Sequence, residues 1–187
     1  MGSQERNAIF LDRDGTLIVD KMYLNDPEQV EYLNESERGL QMLRDQGFIF
    51  LIATNQSGLP RNLVTIDQLH AIHKKIKSHY SSFGVDILEF YYAPYLTHLD
   101  HPMRKPNPGM ILTGAVDYSV DLACSWMIGD KWVDIEAGQR AGCKTILIAN
   151  KSKDLSGWTS QPTAICENLL QAAEFIVSVT QPENGRT

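Results

Sequence analysis

AIFLDRDGT, residues 8–16, begins with four consecutive apolar residues and ends with two acids two residues apart, followed by glycine and threonine. A short, fully apolar run bounded by a breaker reads as a strand buried on both faces, which is the signature of a parallel sheet. Asp12 then stands where that strand leaves the core, and Gly15 turns the chain.

Working outward, the same arrangement recurs. Phe48–Ala53 is an apolar strand that stops at Thr54-Asn55, and Ser125–Ile128 is one that ends at Gly129-Asp130. Ile87–Ala93 and Thr145–Ala149 complete five expected strands. Amphipathic segments lie between them. Helices are expected at about 36–46, where Gly47 suits the C′ position, over Met110–Leu122, over Asp134–Arg140 closed by Gly142, and near 165–179. Thr65 and Gln68 form a capping box for a helix with the stripe Ile66, Leu69, Ile72, Ile76, Tyr80 and Phe83. Its histidines, His70, His73 and His79, read as solvated. The segment 17–35 reads as a polar loop. Strands alternating with helices imply an α/β chain with a Rossmann-like parallel sheet covered on both faces.

The 187 residues suit one domain, 1–187, with a core at about 7–179 and an unstructured tail, QPENGRT. Whether the leading Met-Gly-Ser is native is left open. Seventeen basic and 23 acidic residues give a net charge of −6, which argues against broad nucleic-acid binding. Three cysteines without a CxxC pair fit free thiols, with Cys124 and Cys143 buried beside apolar runs. No apolar run reaches membrane-span length and the N-terminus lacks a signal-peptide apolar core, so a cytoplasmic location is expected, and with no unassigned apolar stripe a monomer is expected. Trp126 and Trp132 are expected to serve packing rather than ligand contact.

In an open parallel sheet the strand C-termini line one edge, where ligands bind. Asp12, Thr54-Asn55 and Asp130 should therefore converge. Two carboxylates as close in sequence as Asp12 and Asp14 repel unless a hard cation such as magnesium lies between oxygens. One carboxylate could then attack phosphorus while the other moves a proton.

FLDRDGT, Thr54 in LIATNQSG, Lys105 in RKPNPGM and GDKWVD from Gly129 to Asp134 resemble the four successive motifs of the haloacid dehalogenase-like (HAD) phosphatases. The resemblance covers about residues 8–150. It implies a HAD-like fold with a minimal cap and an aspartyl-phosphate on Asp12. Catalytic roles then fall to Asp12, Asp14, Thr54 and Lys105. Magnesium would be held by Asp12, the Asp14 backbone carbonyl and Asp130, with Asp134 in support. LDRDGT, TNQSG, RKPxPGM and IGDK narrow the resemblance to the branch of heptose bisphosphate and histidinol-phosphate phosphatases. That branch implies substrate contacts from Asp20, Tyr23, Thr54, Asn55, Gln56, Ser57, Arg104, Lys105 and Lys131. It usually carries a zinc loop before RKPxPGM; here the ligand positions are Ala93, Tyr95, His101 and Met103, so no zinc is expected. The substrate implied is a small phosphorylated metabolite. A heptose bisphosphate leads, followed by histidinol phosphate and other sugar phosphates. A phospho-accepting receiver domain is the rival from another class, although its acceptor Asp would follow the third strand, which here ends at Ala93-Pro94.

Overall fold

The computed structural model describes residues 5–180; the expected tail and the Met-Gly-Ser question lie outside them. Six parallel strands form one sheet: β1 (Ala8–Leu11), β2 (Ile49–Asn55), β3 (Ile87–Ala93), β4 (Trp126–Gly129), β5 (Lys144–Ile148) and β6 (Ala164–Cys166). Their spatial order is β3-β2-β1-β4-β5-β6. Among the described residues five α-helices connect or follow them: α1 (Ser36–Asp45), α2 (Ile66–Ser82), α3 (Gly109–Tyr118), α4 (Trp132–Ala141) and α5 (Leu169–Thr180).

The period-2 geometry of a strand sends alternate residues to opposite faces. Ile9 and Leu11 of β1, with Phe50 and Ile52 of β2, join the core beneath α1, α2 and α5. Ala8 and Phe10, with Leu51 and Ala53, join the core beneath α3 and α4. Both faces are therefore sealed, and for that reason these strands are continuously apolar rather than alternating.

The expected elements occur with small shifts at their ends, and the Thr65/Gln68 capping box forms in both directions. Gly47 and Gly142 adopt positive φ just past their helices, as a C′ residue requires. Five details differ from expectation. A sixth strand, β6, precedes the last helix, which begins only at Leu169. Residues 17–35 are not simply polar loop, because Leu17, Ile18 and Leu24 are buried and Ile18 pairs with both Asp14 and Tyr32. Cys124 is exposed, in the turn entering β4, whereas Cys143 is buried. Trp126 is in the core, but Trp132 is 46% exposed at the start of α4. His73 is buried on α2, because residue 73 falls four after Leu69 and three before Ile76, on the buried stripe itself. Among the described residues no helix is long and apolar enough to cross a membrane.

Candidate active site

The chain leaves β1 to one side for β2, and β4 lies on the other side of β1. This reversal opens a crevice at the carboxyl ends of β1 and β4. A cavity of about 310 Å³ lies there, lined among others by Asp12, Asp14, Thr54, Gln56, Lys105 and Lys131.

Asp12 follows β1 and is nearly buried. Its Oδ1 accepts a hydrogen bond from Lys105 Nζ at 2.9 Å. The same ammonium donates to Ala53 O at 2.6 Å and pairs with Asp134 Oδ1 at 2.6 Å. Burial alone would push the Lys105 ammonium toward neutrality, but the Asp12 and Asp134 charges outweigh burial and hold its pKa above the usual lysine value. Lys105 is itself aimed by Asn55, whose amide donates to Lys105 O at 3.0 Å and accepts from Lys105 N–H at 3.1 Å. Asn55, expected at the substrate, thus spends its side chain on placing Lys105 while still lining the cavity.

Asp130 follows β4. Asp12, Asp130 and Asp134 each offer an oxygen within 4.8 Å of the others. One buried oxygen of Asp130, Oδ1, has no hydrogen-bond partner. Three convergent carboxylates with an orphaned oxygen suit a hard divalent cation bound by oxygen. The backbone is shaped to let them meet. A Cβ on Gly15, which has φ +86°, would lie 2.6 Å from Asp130 Cγ, and one on Gly129 would collide with the Asp134 carboxylate. Asp134, expected only in support, is fully buried in the cluster, and its Oδ2 also accepts Lys131 N–H at 2.9 Å to cap α4.

Asp130 has its pKa pushed up to about 7, first by burial and then by the Asp12 charge, with Lys131 opposing. A carboxyl whose folded pKa lies above its unfolded one costs nothing below the unfolded value, where both states are protonated. It weakens the fold as pH rises toward the folded value. Thermal melts of chelator-treated protein should therefore lose Tm between about pH 4 and pH 7 on this account, and a divalent cation should restore it at the upper end. A cation-bound Tm with the same pH slope as the chelated protein would contradict a shared cation at these carboxylates.

Asp14 lies beside the cluster, not in it. Its carboxylate accepts from Arg13 Nη2 at 2.9 Å and from Gln56 Nε2 at 3.0 Å. Burial raises its pKa, with the Arg13 charge opposing. Gln56 also donates to Thr54 Oγ1 at 3.0 Å, so the hydroxyl near the carboxyl end of β2 is fixed in the cavity. At the mouth, Lys131 Nζ contacts Asp20 Oδ2 at 2.8 Å. Burial would lower the Lys131 pKa, but the Asp20 bond and the Asp130 charge raise it overall. Tyr23 and Ser57 line the wall; a Cβ on Gly58 would sit 3.1 Å from Tyr23 Cδ1, so the ring packs against bare backbone.

Arg104 is the exception among the expected contacts. Its guanidinium donates to Tyr95 O at 2.9 Å and Thr97 Oγ1 at 3.1 Å, tying its own loop and lining a neighbouring depression instead of this cavity. In that loop the Tyr95 and His101 rings stack with centroids 3.5 Å apart, and His101 Nδ1 accepts Met103 N–H at 3.1 Å. Sequence reading missed Arg13, which lines the cavity and is 2% exposed, and His73 behind it. The helical spacing of residue 73 carried the signal for His73; for Arg13 the only signal was its place between two acids.

A family model described as HAD-hydrolase-like matches residues 102–172. A D-glycero-D-manno-heptose-1,7-bisphosphate 7-phosphatase of Thermosynechococcus vestitus is 33% identical, with 95% of this chain and 98% of that protein aligned. A D-glycero-beta-D-manno-heptose-1,7-bisphosphate 7-phosphatase of Pasteurella multocida is 34% identical over 81% of this chain and 85% of its own length. Among solved structures, the D,D-heptose 1,7-bisphosphate phosphatase of B. bronchiseptica, complexed with magnesium and phosphate, superimposes with a TM-score of 0.84 at 32% identity. That match covers 92% of this chain and 99% of that one.

Proposed function

Because the chain belongs to the heptose-1,7-bisphosphate 7-phosphatase family of HAD-like hydrolases, we propose that it hydrolyses a D-glycero-D-manno-heptose 1,7-bisphosphate at C7, as a single-domain cytoplasmic monomer. The observation that carries the reading is the pairing of Asp12 with Lys105 at the edge of a three-carboxylate cluster, with Asp14 held apart on Arg13. Asp12 thereby faces a buried cation at the cluster, and Asp14 is held beside the cluster at the same cavity.

In the first step an Asp12 carboxylate oxygen forms a bond to phosphorus while the bond to the sugar oxygen breaks. The proton on Asp14 goes to that leaving oxygen. In the second step water attacks the aspartyl-phosphate, Asp14 takes the water proton, and the phosphorus–Asp12 bond breaks to release inorganic phosphate. Thr54 Oγ1 and Lys105 Nζ hold the phosphoryl oxygens, where positioning and charge stabilisation supply most of the acceleration. Asp12, Asp130 and the Asp14 backbone carbonyl, supported by Asp134, would hold magnesium, which when bound neutralises phosphoryl charge so that a carboxylate can approach it. Asp20, Tyr23, Asn55, Gln56, Ser57, Lys131 and, after release of Thr97, Arg104 would meet the rest of the substrate. No zinc is required in this proposal, since the Tyr95–His101 stack and the Met103 hydrogen bond already close the loop that precedes Arg104.

Phosphate release should be measured over both anomers of heptose 1,7-bisphosphate, sugar monophosphates and histidinol phosphate. The bisphosphate should be preferred, and chelation should abolish turnover until magnesium is restored. Preference for histidinol phosphate, or turnover that survives exhaustive chelation, would overturn the substrate or the metal assignment respectively.

A further inference from the structure

The hydrolysis scheme leaves Arg13 without a task, yet its guanidinium is taken almost wholly out of water. Burying that charge is costly unless its donors are matched. Its Nε and Nη2 fork the Asp14 carboxylate at 2.9–3.2 Å. Its Nη1 lies 3.3 Å from His73 Nε2. An arginine has donors only, so this contact requires an unprotonated Nε2 and places the imidazole proton on Nδ1. Burial, with the Arg13 charge beside it, pushes the His73 pKa down to about 3, in keeping with a neutral ring. The ring in turn stacks on Phe90 of β3 with centroids 4.4 Å apart. A continuous support therefore runs from β3 and α2 through His73 and Arg13 to Asp14. It ends on a carboxylate that the cation cluster of Asp12, Asp130 and Asp134 does not include.

We propose that Arg13, oriented by the His73 ring, is a positioning residue that holds the Asp14 carboxylate out of the cation cluster and available for proton transfer. This rests on the phosphatase reading above. The side-chain charges then divide without ambiguity: Lys105 commits Asp12, and Arg13 commits Asp14. Without the fork, Asp14 could rotate toward the cluster, which lies two residues away on the same turn, and the leaving alkoxide would lose its proton source.

The test compares the magnesium-loaded wild type with Arg13→Gln, His73→Leu and His73→Gln. The substrates are heptose 1,7-bisphosphate, whose leaving alkoxide needs a proton, and p-nitrophenyl phosphate, whose leaving phenolate does not. Rapid-quench measurement follows the phosphoenzyme. For Arg13→Gln, phosphoenzyme formation from the bisphosphate should fall about 100-fold or more with KM within about threefold. From p-nitrophenyl phosphate it should fall less than about tenfold, and the phosphoenzyme should then accumulate because water activation is slowed. His73→Leu should lose about tenfold on the bisphosphate, and His73→Gln, which keeps an acceptor, should recover most of it. Equal losses on both substrates, or unchanged kinetics in Arg13→Gln, would overturn the proposal. If Arg13→Gln fails to fold by circular dichroism, identical kinetics for His73→Leu and His73→Gln overturn it instead. Failure of the wild type on both substrates would sink the phosphatase reading itself, and the clamp with it.

Discussion

Asp12→Asn should abolish turnover, by on the order of 10⁴-fold or more, while leaving the protein folded. The amide oxygen can still accept from Lys105 Nζ, which lies 2.9 Å from Asp12 Oδ1, so local packing is kept. The amide cannot form the aspartyl-phosphate, so the covalent route closes. Stability should hold or rise, because one negative charge leaves a cluster in which three carboxylates approach within 4.8 Å. That repulsion is part of what raises the Asp130 pKa, so the Asn variant should also bring Asp130 back toward the ordinary carboxylate range. Activity assays with thermal melts at neutral pH without magnesium read both effects. Residual turnover above about 1% of wild type would remove Asp12 from the nucleophile role.

Lys105→Met should act on stability as well as on catalysis. The methionine fills the apolar part of the lysine stem but removes a cation whose side chain is 2% exposed and which faces Asp12 and Asp134. Deleting one partner of a buried ion pair leaves the other uncompensated, at a cost of about 3–5 kcal/mol. For a chain of this size that corresponds to a fall in Tm of about 6–20 °C. Magnesium should recover part of the loss by supplying charge to the same carboxylates, whereas phosphate release should stay low because the cation facing the phosphoryl group is gone. Lys105→Arg should not rescue, since a planar guanidinium cannot occupy the point between Asp12 Oδ1, Asp134 Oδ1 and Ala53 O. A Tm within about 2 °C of wild type for Lys105→Met without metal would contradict the buried triad.

The strands around the site were legible because their cause is local. Four apolar residues before Asp12, six before Thr54 and three before Gly129 need burial on both faces, and only a covered parallel sheet supplies it. Helix ends at Gly47, Thr65 and Gly142 were legible for the same reason: the cap chemistry lies within a few residues. β6 was hidden because three residues carry too short a period to distinguish from the start of a helix. His73 was misplaced because its polarity suggested solvent, whereas its position on α2 puts it on the buried stripe, where Phe90 and Arg13 satisfy it. Arg104 was expected at the substrate, but its partners Tyr95 O and Thr97 Oγ1 lie in a loop whose path no residue periodicity describes.

The sequence by itself determined an alternating α/β chain and a set of polar residues at strand ends: Asp12, Thr54, Asn55 and Asp130. Those follow from hydrophobic period and strand polarity, which are properties of short segments. Only the tertiary structure decided how the charges pair. Lys105 reaches Asp12 across 93 residues of chain, Asp134 enters the same cluster from the first turn of α4, and Arg13 takes Asp14 for its own. Pairing energy depends on distance and on exclusion of water, and both exist only once the sheet order has brought the ends of β1, β2 and β4 together beneath their covering helices.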